Sequence, residues 1–264
     1  MFMKAQVYSL DGKAVREVEL PPVFSADVRL DLISRAAISD QSKRYQPKGN
    51  DPRAGMETSA RYRGRKEDFG SGKNKGQAIR PREVLPKGRL GKVKRIPSAV
   101  KGRRAHPPHV NKIIIEQMNR KEYAVALRSA IAATAQRDVV QSRGHKLGAD
   151  LKLPIIFENS FESVAKTSQV CRALSQVIGE DLARGRTPRL RTGVRARKGG
   201  KVYPKTAVIA VSKDAPVLKA ARNIPGIEVV KVSDLSVEKL APGAKAGRLA
   251  IYTEAALEEI AKMK

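Results

Sequence analysis

The sequence predicts an α/β fold: a small parallel sheet flanked by helices, with a long, extended basic loop inserted into it. Two observations lead there. Short apolar runs of strand length alternate with helical-period segments of about a dozen residues, the pattern of a parallel sheet covered on both faces. That pattern stops between Gln41 and Ala105, where 20 Lys or Arg stand against only 5 Asp or Glu. With 264 residues and 41% hydrophobic content, the rest of the chain is long enough to bury a core.

Each element has its own signal. "AQVYSL" alternates as a short strand. In "DVRLDLISRAAI", Val28, Leu32, Ala36 and Ala37 share one helical face, with Ser25 or Asp27 as the cap. Beyond the basic stretch, "NRKEYAVALRSAIAATA" aligns Tyr123, Leu127, Ala130, Ile131 and Thr134 along a second helix. "LPIIFE" reads as a buried strand, and "SQVCRALSQVIG" as a helix that turns Val170, Leu174 and Val177 inward and ends at Gly179. "TAVIAV" is a strand, and "APVLKAARNIPG" is a helix opened by Pro216, a residue a first turn tolerates. "IEVVKV" and "RLAIY" add strands. The last helix starts near Thr253 and lines up Ala256, Leu257, Ile260 and Met263. The expected body is therefore 1–40 with 106–264, and the loop is 41–105.

The loop holds 9 Gly, 5 Pro and scattered apolar residues. Such a stretch cannot bury a core of its own, so taken alone it reads as disordered or extended. Insertions this long inside a domain are usually functional. A second basic excursion, 184–205, lies within "LARGRTPRLRTGVRARKGGKVYPK", which carries nine bases and no acid.

Enzyme readings fail on their sites. "FGSGKNKGQA" invites a phosphate-loop reading, but Glu67 occupies the place of the first glycine and Asn74 that of the hydroxyl residue. Gly70, Gly72 and Gly76 miss the dinucleotide spacing as well. Ser163 with Lys166 and Ser98 with Lys101 share a serine–lysine spacing without its partner motifs. His106 and His109 flank two prolines, which reads as a rigid turn rather than a metal pair. Cys171, the single cysteine, reads as a small core residue. The expectation is no enzyme, no metal and no cofactor.

The charge points to a partner. Across the chain, 53 Lys and Arg against 26 Asp and Glu give a formal net charge of +27, which favours polyanions. No apolar run approaches the ~20 residues of a membrane-crossing helix. The opening "MFMKAQVYSL" lacks the apolar stretch of a signal peptide, so the expected location is cytoplasmic, without a membrane partner. Arginine forks match phosphate oxygens and stack on unpaired bases. Glycines let the main chain approach a nucleic-acid backbone, and Tyr45, Tyr62 and Phe69 are available for base stacking. No recognition helix, basic zipper or zinc finger favours DNA. RNA is the expected ligand, with a free-standing RNA chaperone as the alternative to a fixed component of an assembly.

Longer stretches resemble a known family. "FGSGKNKGQAIRPR", "RIPSAVKGRRAHPPH", "VALRSAIAATA", "LKAARNIPGIEVV", "LAPGAKAGRLAIYTEAALEEI" and "VYSLDGKAVREVELPPVF" are similar to the universal large-subunit ribosomal protein L-four family, of archaeal and eukaryotic type, nearly end to end. The resemblance implies a parallel sheet of about four strands and a structural role in the large ribosomal subunit. It also implies a loop that penetrates ribosomal RNA and whose tip lines the nascent-peptide exit tunnel. Neighbouring large-subunit proteins and the nascent peptide would be further partners. Carried onto this sequence, the RNA-binding candidates are Lys43, Arg44, Arg53, Arg61, Arg63, Arg65, Lys73, Lys75, Arg80, Arg82, Arg89, Lys92, Lys94, Arg95, Lys101, Arg103 and Arg104. Arg189, Arg191, Arg195, Arg197 and Lys198 are added by the second excursion. Phe69, Gly70, Ser71, Gly72 and Lys73 are the tunnel-lining candidates.

Overall fold

A computed structural model describes residues 3–69, 71, 73–148 and 151–263. The chain divides into two units, Met1–Arg44 with Ile115–Lys264, and Tyr45–Ile114.

The first unit is built on β1 (Lys4–Tyr8), β2 (Ala14–Glu19) and α1 (Leu30–Ser42). The chain later supplies α2 (Arg120–Ala135), α3 (Arg137–Ser142), β5 (Ile155–Phe157) and α4 (Thr167–Arg186). Between α2 and α1 in chain order lie β3 (Arg82–Val84) and β4 (Leu90–Val93), which belong to the second unit. After α4 come β6 (Arg189–Leu190), β7 (Lys201–Val202), β8 (Val208–Val211), α5 (Val217–Ala221), β9 (Glu228–Lys231), α6 (Val237–Leu240), β10 (Ala250–Thr253) and α7 (Glu254–Lys262).

The central sheet runs β2-β1-β5-β10-β8-β9. From β1 to β9 all neighbours are parallel, and β2 adds an antiparallel edge. The parallel part thus holds five strands, one more than about four, and the β2 hairpin arm was not foreseen. Ala14–Glu19 is mostly exposed, so it lacks the apolar alternation that would mark it.

Alternation along the inner strands sorts the core into two layers. Ile156, Val208, Ala210, Ala250 and Tyr252 face one cluster, with Ile33, Ala36 and Ala37 of α1, Ala130 and Ile131 of α2, and Leu257 and Ile260 of α7. Ile155, Phe157, Ile209, Val211 and Ile251 face the other, with Val170, Leu174 and Leu182 of α4 and Val217 of α5. Fully burying one such large apolar side chain stabilises by roughly 1.5–3 kcal/mol. In the first layer Phe24 meets Tyr252 edge to face at 5.4 Å, and the Tyr252 hydroxyl lies 3.1 Å from Thr134 Oγ1.

Two local expectations change. Neither Ser25 nor Asp27 caps α1 with its side chain. Instead Ser129 of α2 accepts from the Arg29 N–H at 3.1 Å and donates to the Asp27 carbonyl. The cap is thus supplied by a residue a hundred positions away, where sequence proximity gives no hint. The second change concerns α4, which does not stop at Gly179. It bends at Ile178 (φ −128°, ψ 35°) and continues to Arg186. Burial of Leu182 and Asp181 beyond the bend holds the extra turns against the glycine's preference to end a helix.

Candidate nucleic-acid interface

Among the described residues, those between 45 and 114 contribute to neither core cluster, and several of their large apolar side chains lie open: Tyr62 is 63% exposed and Phe69 82%. Main-chain contacts join the outgoing and returning limbs of the unit Tyr45–Ile114. Asn50 N–H donates to the Pro108 carbonyl at 3.3 Å. Gly55 (φ +80°) lies so close to Gly102 that a Cβ on it would run into the Gly102 carbonyl, which is why this crossing requires glycine. Arg95 Nη1 donates to the Ala60 carbonyl at 3.4 Å. Arg61 and Arg82 exchange main-chain hydrogen bonds of 3.2 and 3.4 Å as an antiparallel bridge. Beyond the bridge, β3 and β4 pair as a hairpin, with Lys87 (φ 60°) and Gly88 (φ 71°) in its turn. The stretch is therefore more organised than its composition predicts, because backbone pairing needs no apolar side chains.

Its charge has no internal counterpart. Residues 45–114 carry 19 Lys or Arg against 5 Asp or Glu. Among the described residues no ion pair involves any of them. Arg53, Arg61, Arg65, Lys73, Lys75, Arg80, Arg89, Lys92, Arg95, Lys101, Arg103 and Arg104 are exposed; Arg63, Arg82 and Lys94 are half-buried. Side-chain donors are instead spent on carbonyls: Arg63 on Phe69, Lys94 on Val100 at 3.5 Å. Lys43 and Arg44 differ from the rest. They belong to the α/β unit, where Lys43 Nζ lies 3.1 Å from Asp40 and Arg44 Nη2 lies 2.6 Å from Glu238.

Among the tunnel-lining candidates, Ser71 is buried, its N–H donating to the Asp68 carbonyl at 2.9 Å and its Oγ accepting from Lys73 N–H at 3.3 Å. Phe69 and Lys73 are exposed; Gly70 and Gly72 lie outside the described residues.

The second basic excursion is a hairpin. Arg189 pairs with Val202 and Leu190 with Lys201, and a short helical turn, Gly193–Lys198, presents Arg195, Arg197 and Lys198. Arg189, Arg191, Arg195, Arg197 and Lys198 are all exposed and without an ion-pair partner among the described residues. Its ends are not free. Arg184 lies inside α4, 2.9 Å from the Asp181 carboxylate, and donates to the carbonyls of Gly144 at 2.8 Å and Lys205 at 3.1 Å. His145 Nδ1 lies 2.9 Å from the Asp181 carboxylate and 3.1 Å from Arg184 Nη2, and its Nε2 faces the Leu249 N–H at 3.3 Å. Lys205 pairs with Glu228. The open basic segment is thus 187–204, shorter than 184–205.

Sequence reasoning assigned 106–114 to the body, yet these residues fall in the cationic unit and add exposed Lys112. The adjacent Pro107 and Pro108, with no helical or strand period, were the available signal. Lys87 in the β3–β4 turn and Lys201 on β7 were also passed over, though charge alone marked them. Among the described residues no group of three or more His, Cys, Asp or Glu is arranged to hold a metal, and no helix is long and apolar enough to cross a membrane.

The protein thus joins an α/β body to a second unit whose basic side chains have no ion-pair partner among the described residues. Residues 18–263 match the Ribosomal protein L4/L1 family. Large ribosomal subunit protein uL4 of Methanocaldococcus jannaschii is 42% identical over 261 residues, covering 98% of each chain. Its counterparts in Methanoculleus marisnigri (42% over 260 residues, 98% of each) and Haloquadratum walsbyi (39% over 261, 98% of this chain and 99% of the relative) are similarly close. The chain belongs to this family: it is a ribosomal protein, and not an enzyme.

Proposed function

We propose that this protein is a structural constituent of the large ribosomal subunit in the cytoplasm, and that it binds the large-subunit ribosomal RNA. The RNA-contacting parts are the unit Tyr45–Ile114, which extends the expected 41–105 loop, and the hairpin 187–204. Phe69–Lys73 line the nascent-peptide exit tunnel, and neighbouring large-subunit proteins complete the surroundings. One observation carries the RNA reading: 19 bases in a single unit without an ion pair among the described residues, on backbone that contributes to neither core cluster. Such concentrated charge repels itself and attracts an external polyanion. The tunnel assignment rests on the family resemblance and on exposed Phe69 and Lys73 flanking Ser71.

Titrating the full chain against large-subunit RNA tests this. Neutralising about eight phosphates predicts a log–log salt slope of about −5 or steeper. The protein should also remain with the large subunit in sedimentation after a moderate-salt wash. A nearly flat salt response would remove charge as the driver; recovery in light fractions would favour an RNA chaperone.

A further inference from the structure

We propose that Arg61, Arg63, Arg80 and Arg82 form a clamp that grips one phosphodiester of an RNA backbone. The inference rests on the RNA-binding reading and specifies where within the cationic unit the grip is geometric rather than diffuse.

"RYR" and "RPR" each place arginines two residues apart. In extended chain, side chains two apart share a face. The bridge pairs Arg61 with Arg82 in antiparallel register, and the same register continued outward would bring Arg63 towards Arg80. All four arginines accordingly line a single small cleft, whose remaining walls are Ala78, Ile79, Val84 and Leu90. No carboxylate contributes to the lining.

The four are not equivalent. Arg63 and Arg82 are half-buried and already oriented by their own chain, Arg63 by the Phe69 carbonyl, Arg82 by those of Ala78 and Gly91 at 3.4 and 3.5 Å. Arg82 keeps its buried Nε without a hydrogen-bond partner, so its guanidinium is only partly satisfied by its own chain. Arg61 and Arg80 are exposed and make no side-chain hydrogen bond among the described residues. Two guanidiniums are thus preset and two are available to close. Like charges converging on one cleft repel until an anion enters, and forked N–H donors suit the paired oxygens of a phosphate. An occupied clamp would also tie the 61 limb to the 82 limb, fixing the crossing on which β3 and β4 depend.

The test uses charge-conserving variants of the full chain. Arg61→Lys with Arg80→Lys removes the forked donors, retains the charge and breaks no bond of the free protein. The reference is Arg120→Lys with Arg222→Lys, two exposed residues of the α/β unit. The clamp variant should bind large-subunit RNA roughly tenfold more weakly with an unchanged salt slope, while the reference stays within about twofold. In parallel, RNA should shield Arg61 and Arg80 from modification by phenylglyoxal, whereas inorganic phosphate at matched ionic strength should not. Equal losses in both variants, or no shielding by RNA, would overturn the clamp and leave RNA binding intact. Shielding by inorganic phosphate alone would overturn the RNA-backbone assignment in favour of a free anion. Failure of the unaltered chain to bind the RNA would instead sink the proposed function itself.

Discussion

Arg248 and Arg82 use the same side chain in opposite ways. Arg248 is completely buried; it meets Glu228 and donates to the carbonyls of Thr206 at 2.8 Å and Lys239 at 2.9 Å. Burial pushes its guanidinium pKa down, and Glu228 opposes that shift. Arg82 has only two long bonds to carbonyls, a buried Nε without a partner and no ion pair. Inside the α/β unit Arg248 is neutralised by Glu228 and is part of that unit's stability. The cationic unit leaves Arg82 unneutralised and only partly satisfied by its own chain.

The largest effect that could break this contrast is removal of Met56–Arg82, which deletes eight Lys or Arg. The salt slope for RNA binding should fall by about 5 units. The body's melting temperature should move by less than about 2 °C, since neither core cluster draws on those residues. A body that melts on this deletion would show that the two units are not energetically separate.

Next in size is Glu228→Gln. It strands the buried Arg248 guanidinium and should cost about 3–5 kcal/mol in urea unfolding, because the remaining charge is buried and uncompensated. Burial pushes the Glu228 carboxyl up, but Arg248 and Lys205 outweigh it and hold its pKa below the usual value. A carboxyl depressed in the folded state stabilises above its unfolded pKa and loses that contribution as pH falls through the folded one. The unaltered protein should therefore lose stability on acidification below about pH 4.5, and the variant should lose less by the Glu228 share. RNA affinity of the folded variant should not change.

The smallest effect sharpens the contrast inside the body. Ser129→Ala removes the cap that α2 supplies to Arg29 and should cost about 1–2 kcal/mol in the same unfolding assay. No change would mean that water replaces the hydroxyl.

What could be read in advance follows from the range of the interactions involved. β5, β8 and β10 were legible because buried parallel strands are continuous apolar runs, and the edge strand β9 through its adjacent Val229 and Val230. The edge strand β2 was not, since one side of it faces solvent and its pairing with β1 decides its conformation. The candidate interface was legible as composition, an Arg-rich stretch without acids. Its crossings at Gly55 with Gly102 and at Arg61 with Arg82 were not, because they join residues 47 and 21 positions apart.

The sequence by itself determined the class of fold and the location of the concentrated basic charge. Periodicity and charge are sums over neighbouring residues, and they survive without a structure. Only the tertiary structure decided which basic residues the body keeps for itself, such as Arg184, Lys205 and Arg248, and which stay open. It also decided that four arginines share one cleft. Those outcomes depend on which distant groups meet, and a linear order of residues does not specify that.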